Sequence, residues 1–168
     1  SKGIDGYRHD ATLHMNPAFA KGLRDAIDSA PGGAVTHFGE FFIGKPDPKY
    51  AEYESFPDRT GINNLDFEYF RTITNVLGDG SQDMNDLASF YQYTDDDYAY
   101  ENQTVTFIDN HDVPRFLRVN SDQRSLDVAL ALTLVSRGIP NLYYGTEQYV
   151  NGADGSENGG RVFMQTDT

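Results

Sequence analysis

Apolar and polar positions along the chain follow two periods. Short apolar runs of strand length cover residues 3–10, 34–39, 105–109 and 141–144, with a weaker one at 63–67. Between them, apolar residues recur every three or four positions. One set is Phe19, Leu23 and Ile27 with Ala20 and Ala30; another is Phe67, Phe70, Ile73 and Val76-Leu77. A shorter run lies near residues 84–91, and the strongest is Leu126, Leu130, Leu134 and Val135. This spacing predicts helices. Asn16-Pro17 offers a cap followed by proline at the first helical position, Ser81 a cap for the third helix, and Ser121 or Asp122 a cap for the last. Pro31-Gly32-Gly33, Gly78-Asp79-Gly80, and Gly138 with Pro140 stop three of them. Residues 44–59 are polar and interrupted by proline and read as a long loop, and residues 94–102, acidic and aromatic, read as another. No internal repeat, low-complexity tract or linker is visible.

Repeated β-then-α units predict an α/β fold with a parallel sheet and helices packed outside it. The count is about four or five units, roughly half of the eight in a (β/α)₈ TIM barrel. In such sheets the active site lies at the carboxyl ends of the strands. Three segments place acids there: Gly6-Tyr7-Arg8-His9-Asp10, His37-Phe38-Gly39-Glu40, and Phe107-Ile108-Asp109-Asn110-His111-Asp112. Charges are seldom buried without partners, and converging acids shift one another's pKa values, as acid–base chemistry requires. Arg8 lies two residues before Asp10 and shares its strand face, so it can hold Asp10 ionised.

Each feature taken alone has a plainer reading. Arg8–Asp10 could be a structural ion pair, Glu40 a solvated loop acid, and His111-Asp112 a metal-ligand pair. His9 and His37 read as packing or hydrogen-bonding residues, and Phe41 and Phe42 by default as core. Asp95-Asp96-Asp97 reads as a solvated acidic loop, because it lacks the alternation and glycine of a calcium loop.

Composition narrows the function classes. A net charge of -13 argues against nucleic acid as a partner, since phosphates need cations. The acidity comes mostly from Asp, and lysine is limited to Lys2, Lys21, Lys45 and Lys49, which suits a high-salt surface as well as an ordinary acidic enzyme. No cysteine is present, so there is no disulfide or thiol chemistry. No stretch is long and apolar enough to span a bilayer, and no signal peptide is visible. The 168 residues suffice for one sizeable core, but the abrupt ends at Ser1 and Thr168 read as those of a piece of a longer protein. Eleven Tyr and eleven Phe could fill a core or, beside carboxylates, form platforms for sugar rings.

Taken together and in order, Gly6-Tyr7-Arg8-His9-Asp10-Ala11 with His14, then Phe38-Gly39-Glu40-Phe41-Phe42, then Phe107-Ile108-Asp109-Asn110-His111-Asp112, resemble the α-amylase family, glycoside hydrolase family 13. The segment from Gly138 to Gln148 resembles the family's last barrel strand, and Tyr144-Gly145-Thr146-Glu147-Gln148-Tyr149 is closest to the cyclodextrin glucanotransferase and maltogenic-amylase branch. The resemblance covers essentially the whole chain. It implies strands four to eight of a single catalytic barrel domain, acting on the α-1,4-glucosidic bonds of starch, maltodextrin or cyclodextrin with retention of configuration. It implies Asp10 as nucleophile, Glu40 as general acid/base and Asp112 as the third, stabilising acid. It further implies substrate contacts by Arg8, His14, Phe42, His111 and Asp154, and structural calcium held in part by the His14 carbonyl, with most ligands outside this chain.

The resemblance also implies a secreted parent protein and the need for an N-terminal barrel half, without which the chain would be inactive and prone to associate. Two positions depart from the branch. Leu13 stands where many relatives carry lysine, and the loop at residues 151–161 departs from the branch's pattern, with no clear counterpart to the arginine that accompanies Asp154. Rival readings are a purely hydrolytic amylase, a metal-dependent hydrolase using His14, His111 and the acids, and a non-catalytic carbohydrate-binding module.

Overall fold

The structure, a computed structural model, describes residues 3–98, 100–152 and 159–163. Among the described residues five short strands, all parallel, follow one another in chain order. β1 (Gly6–His9), β2 (Thr36–Gly39) and β3 (Asn63–Asn64) form one sheet, and β4 (Val105–Thr106) pairs with β5 (Ile139–Pro140) in a second. Gly6 lies opposite Thr36 and His9 opposite Gly39, while Phe38 pairs with Asn63. A parallel bridge between Leu65 and Val105, with the Asp66 N–H donating to the Val105 carbonyl at 2.9 Å, joins the two sheets. Helices fill each crossover. They are α1 (Pro17–Asp28), α2 (Tyr50–Thr60), α3 (Phe67–Ile73), α4 (Met84–Asp97), α5 (Phe116–Val119) and α6 (Gln123–Val135). This alternation is that of part of a βα barrel. Among the described residues no helix is long and apolar enough to cross a membrane.

Local signals explain most helix starts. The Asn16 side chain accepts from Ala18 N–H with Pro17 at the first helical position, and Asp122 accepts from Arg124 N–H. Aromatic rings carry much of the packing. Phe41 meets Phe56 and Tyr53 edge-on at 5.3 and 5.9 Å, and Phe67 meets Phe107 edge-on at 5.1 Å. Tyr69, Ile73, Phe90, Leu126 and Ala129 join α3, α4 and α6 in another cluster.

Several expectations need correction. Residues 44–59 are not one long loop, because α2 occupies much of that stretch. Tyr50, Tyr53, Phe56 and Thr60 recur at helical spacing and are buried. Pro57 lacks the N–H that would reach the Tyr53 carbonyl, and Asn64 Nδ2 donates to that oxygen instead, at 2.8 Å. A polar residue of β3 thus completes a helix broken locally by proline. α4 begins with a reciprocal capping box between Asp83 and Asp86 rather than at Ser81, and it continues to Asp97. Its acidic end is helical because cations from elsewhere meet it: Lys45 pairs with Asp97 at 3.0 Å, and Arg137 bonds Asp95 and Thr94.

β3 is cut short because Asp66 turns the chain to cap α3, accepting from Tyr69 N–H at 2.9 Å. β5 precedes the expected 141–144 run. Gly138, at φ 96°, turns the chain so that the N–H groups of Ile139 and Asn141 reach the Thr104 and Thr106 carbonyls at 2.8 Å. α5 was not foreseen. The expected inward stripes are only partly buried. Ala20 and Leu126 are covered, whereas Phe19 and Val135 are 63% and 80% exposed.

Asp66 is fully buried, and its carboxylate also accepts from the Tyr98 hydroxyl at 3.1 Å. Burial pushes its pKa from an ordinary 3.8 up to about 6, against the pull of the Tyr69 and Tyr98 hydrogen bonds. A raised carboxyl pKa means that the folded state binds the proton more tightly than the unfolded chain. Stability is therefore lost as pH rises from the unfolded to the folded value, by roughly 3 kcal/mol. Asp66→Asn keeps an acceptor for both donors. Urea unfolding of the two proteins should show the variant gaining on the parent by about that amount between pH 4 and 7, and parallel pH profiles would refute the assignment.

Candidate active site

β1 and β2 deliver three charged side chains to one edge. The Glu40 N–H donates to the His9 carbonyl and the Thr12 N–H to the Glu40 carbonyl, both at 2.9 Å, so Glu40 continues the parallel pairing one residue past β2. Gly39 is needed there, since a Cβ would come within 2.7 Å of the Thr12 side chain. The Arg8 guanidinium spans both carboxylates, donating to Asp10 Oδ1 at 2.7 Å and to Glu40 Oε1 at 2.9 Å. Ala11 takes the left-handed conformation (φ 49°), uncommon for a residue with a Cβ, and its N–H points at Glu40 Oε2 from 3.2 Å.

The two acids are driven apart electrostatically. The hydrogen bond and charge of Arg8 hold Asp10, an exposed side chain, below the usual carboxylate range. Burial pushes Glu40 above that range; the charges of Asp10 and Asp112 add to this, while the Ala11 N–H and Arg8 oppose it. The two carboxyls are thus pushed in opposite directions, Asp10 toward its anion and Glu40 toward its acid.

The third acid arrives from β4. Phe107 and Ile108 run buried beyond the strand, and Asp109 turns inward to accept from the Thr146 hydroxyl at 2.8 Å and the Phe116 N–H at 3.2 Å. Burial raises its pKa, and it serves the scaffold. Asp112 faces the cleft. Its Oδ2 lies 2.9 Å from His111 Nε2, and its Oδ1 accepts from Arg161 at 2.7 Å. Arg161 also donates through Nε to the His111 carbonyl at 3.0 Å.

Arg161 went unassigned in the sequence because no local pattern marks it. Arg115 lies behind it, fully buried, its guanidinium 4.0 Å from the centre of the Tyr143 ring. Arg115 donates to the Gly160 carbonyl at 3.1 Å and to Thr146 Oγ1 at 3.0 Å, which anchors the turn that presents Arg161.

These groups surround a cleft of about 830 Å³ that Asp10, Glu40, His111, Asp112 and Arg161 line together with Leu13, His14, Phe42 and Pro114. Arg8 sits at its edge, bonded to two of the acids. The Phe42 ring packs edge-on against Phe67 at 4.3 Å and stays 48% exposed, so part of it is free for a ligand. Asp154 lies outside the described residues. His9 and His37 are buried and bonded to each other, as expected for non-catalytic histidines. Among the described residues no three His, Asp or Glu side chains come together as metal ligands. The His14 carbonyl alone falls far short of the six to eight oxygens that calcium takes, so these residues by themselves do not fit a calcium site.

The comparisons with known proteins agree with this geometry. The family described as "Alpha amylase, catalytic domain" matches residues 1–166. A cyclomaltodextrin glucanotransferase of Paenibacillus macerans is 42% identical over 160 residues, which are 95% of this chain and 22% of that protein. One from Bacillus sp. (strain 1-1) is also 42% identical, over 94% of this chain and 22% of its own length. The chain therefore spans about a fifth of the length of the curated relatives it matches. Among solved structures, the three-domain cyclomaltodextrin glucanotransferase CldA superposes with a TM-score of 0.92 at 38% identity, covering 98% of this chain and 34% of that one. An Anoxybacillus α-amylase superposes with a TM-score of 0.84 at 26% identity, over 98% of this chain and 36% of the other. With the paired acids at successive strand ends and a family match along nearly its whole length, the chain belongs to the α-amylase family and carries part of its catalytic domain.

Proposed function

We propose that the protein carrying this chain cleaves α-1,4-glucosidic bonds of starch, maltodextrin or cyclodextrin with retention of configuration, in the manner of a cyclodextrin glucanotransferase. The observation that carries this reading is the single guanidinium of Arg8 shared by Asp10 and Glu40, whose pKa values move in opposite directions. In the first step the Asp10 carboxylate bonds to the anomeric carbon while Glu40 gives its proton to the departing glycosidic oxygen. The glycosyl–Asp10 ester then breaks as water or a sugar hydroxyl attacks, and Glu40 takes back a proton from that attacker. Asp112 faces the positive charge that develops on the sugar ring, and His111 and Phe42 supply a hydrogen bond and an apolar face to it.

The route to water or to a sugar depends on the acceptor side of the cleft. Leu13 lines the cleft and provides no hydrogen-bond donor from its side chain there, which favours a second reading, a mainly hydrolytic amylase. Analysis of the products for cyclic dextrins separates the two. In this proposal the chain supplies strands four to eight of one catalytic domain, the remaining strands and most calcium ligands lie elsewhere in a secreted parent protein, and the His14 carbonyl contributes one ligand. Support for a larger whole comes from the short span relative to relatives and from exposed apolar side chains such as Phe19, Val135 and Ile139.

In the complete protein, Asp10→Asn and Glu40→Gln should each lower kcat by about a thousandfold or more. Retained turnover in either variant would refute the assigned roles. Activity needs Asp10 ionised and Glu40 protonated, so kcat/KM should rise as Asp10 loses its proton and fall as Glu40 loses its own. The acid limb should lie below the ordinary Asp range and the alkaline limb above the ordinary Glu range. Arg8→Leu removes a cation from both groups and should move both limbs to higher pH; limbs that stay in place would show that Arg8 does not set them. The isolated 168-residue chain should lack glucan-cleaving activity and sediment as a self-associated species, and a fully active monomer would overturn the partial-barrel assignment.

A further inference from the structure

Behind the catalytic edge, on the face of β1 and β2 turned away from the cleft, lies a buried polar chain with no place in the chemistry above. His9 Nε2 is 2.9 Å from His37 Nδ1, and His37 Nε2 is 3.1 Å from Asp28 Oδ1 at the end of α1. Both histidines are nearly inaccessible, at 6% and 4%. Tyr7 stacks on His37 with ring centres 5.9 Å apart. The same Asp28 oxygen accepts from Val35 N–H at 3.1 Å, and Arg24 Nε sits 3.1 Å from the other oxygen.

The Asp28 end of the chain fixes one donor. Asp28 is held ionised, first by the Val35 N–H and then by His37, with Arg24 as its counter-ion. An ionised carboxylate only accepts, so His37 Nε2 carries a hydrogen. His37 thus faces Asp28 with one ring nitrogen and His9 with the other, and a single hydrogen lies between His9 Nε2 and His37 Nδ1. Burial, and then His37, lowers the His9 pKa. Hydrogen bonds thus run unbroken from His9 through His37 to Asp28.

His9 occupies a special place. It immediately precedes Asp10, and its carbonyl accepts the Glu40 N–H at 2.9 Å. Its side chain grips His37, three residues before Glu40 on the neighbouring strand. One residue is thus tied to the Glu40 strand twice, by backbone on one side and by imidazole on the other. Rotation of the β1 end would stretch one of these bonds and displace Asp10 relative to Glu40.

We propose that His9, His37 and Asp28 are positioning residues, a buried hydrogen-bond chain that locks β1 against β2 and so fixes the separation of Asp10 from Glu40. The proposal rests on the retaining reading of those two acids. Small displacements of reacting groups cost rate far more than they cost substrate affinity.

The test compares His37→Phe, which keeps an aromatic ring beside Tyr7 but no polar atom, with His37→Gln, whose amide oxygen and nitrogen can replace the acceptor and the donor. In the complete protein, His37→Phe should lower kcat on maltodextrin roughly tenfold to a hundredfold with KM nearly unchanged. His37→Gln should recover most of that loss. Unchanged kcat in a folded His37→Phe variant, or a rise in KM alone, would overturn the proposal. Should the Phe variant not fold, ¹⁵N imidazole spectra of the unsubstituted protein at assay pH decide. His37 is expected to carry a hydrogen on Nε2, with one hydrogen shared between His9 Nε2 and His37 Nδ1; a His37 ring without the Nε2 hydrogen, or hydrogens on both or neither of the facing nitrogens, would overturn the chain. Asp10→Asn and Glu40→Gln run in parallel. If they retain turnover, the retaining reading itself is wrong; if they lose it while His37→Phe does not, only the positioning role fails.

Discussion

Two carboxylates close enough to share one guanidinium cannot both stay charged without a cation between them, and the site depends on how Arg8 meets that constraint. It bonds Asp10 and Glu40 at 2.7 and 2.9 Å, yet the two acids feel it differently. Asp10 is exposed, so the ion pair is its dominant influence. Glu40 is drawn in against Ala11 and Thr12, so loss of water outweighs the same cation. Identical chemistry, placed at two depths, moves one carboxyl toward its anion and the other toward its acid. The parallel register of β1 and β2 produces that difference in depth, because Glu40 continues the pairing past β2 while Asp10 turns out into the strained bend at Ala11.

A second cation, this one buried, organises the other half of the cleft. Arg115 is fully buried and is covered by Tyr143. Burying a charge is tolerable only when its donors are met, and Gly160 and Thr146 meet two of them. Thr146 in turn bonds the buried Asp109. The network ties the segment after β4 to the segment after β5, and Asp112 and Arg161 face each other across the join.

Reading from sequence succeeded where the deciding interaction is local. The caps at Asn16 and Asp122, the strand ends at Asp10 and Glu40, and the pairing of Arg8 with Asp10 all involve residues a few positions apart or one regular period. It failed where a distant residue decides. Pro57 made α2 look like a loop, and only Asn64, brought alongside by β3, satisfies the carbonyl left free. The acidic end of α4 looked like a solvated loop until Lys45 and Arg137 arrived from other elements. Arg161 carries no local mark at all.

By itself the sequence determined the class of fold, the family, and which acids stand at the strand ends, because strand period and terminal polarity are properties of consecutive residues. The tertiary structure alone decided in which direction each acid's pKa moves, which arginine reaches Asp112, and that His9 and His37 meet in the space behind the site. Those outcomes depend on burial and on distances between strands, which arise only when segments far apart in the chain exclude water together.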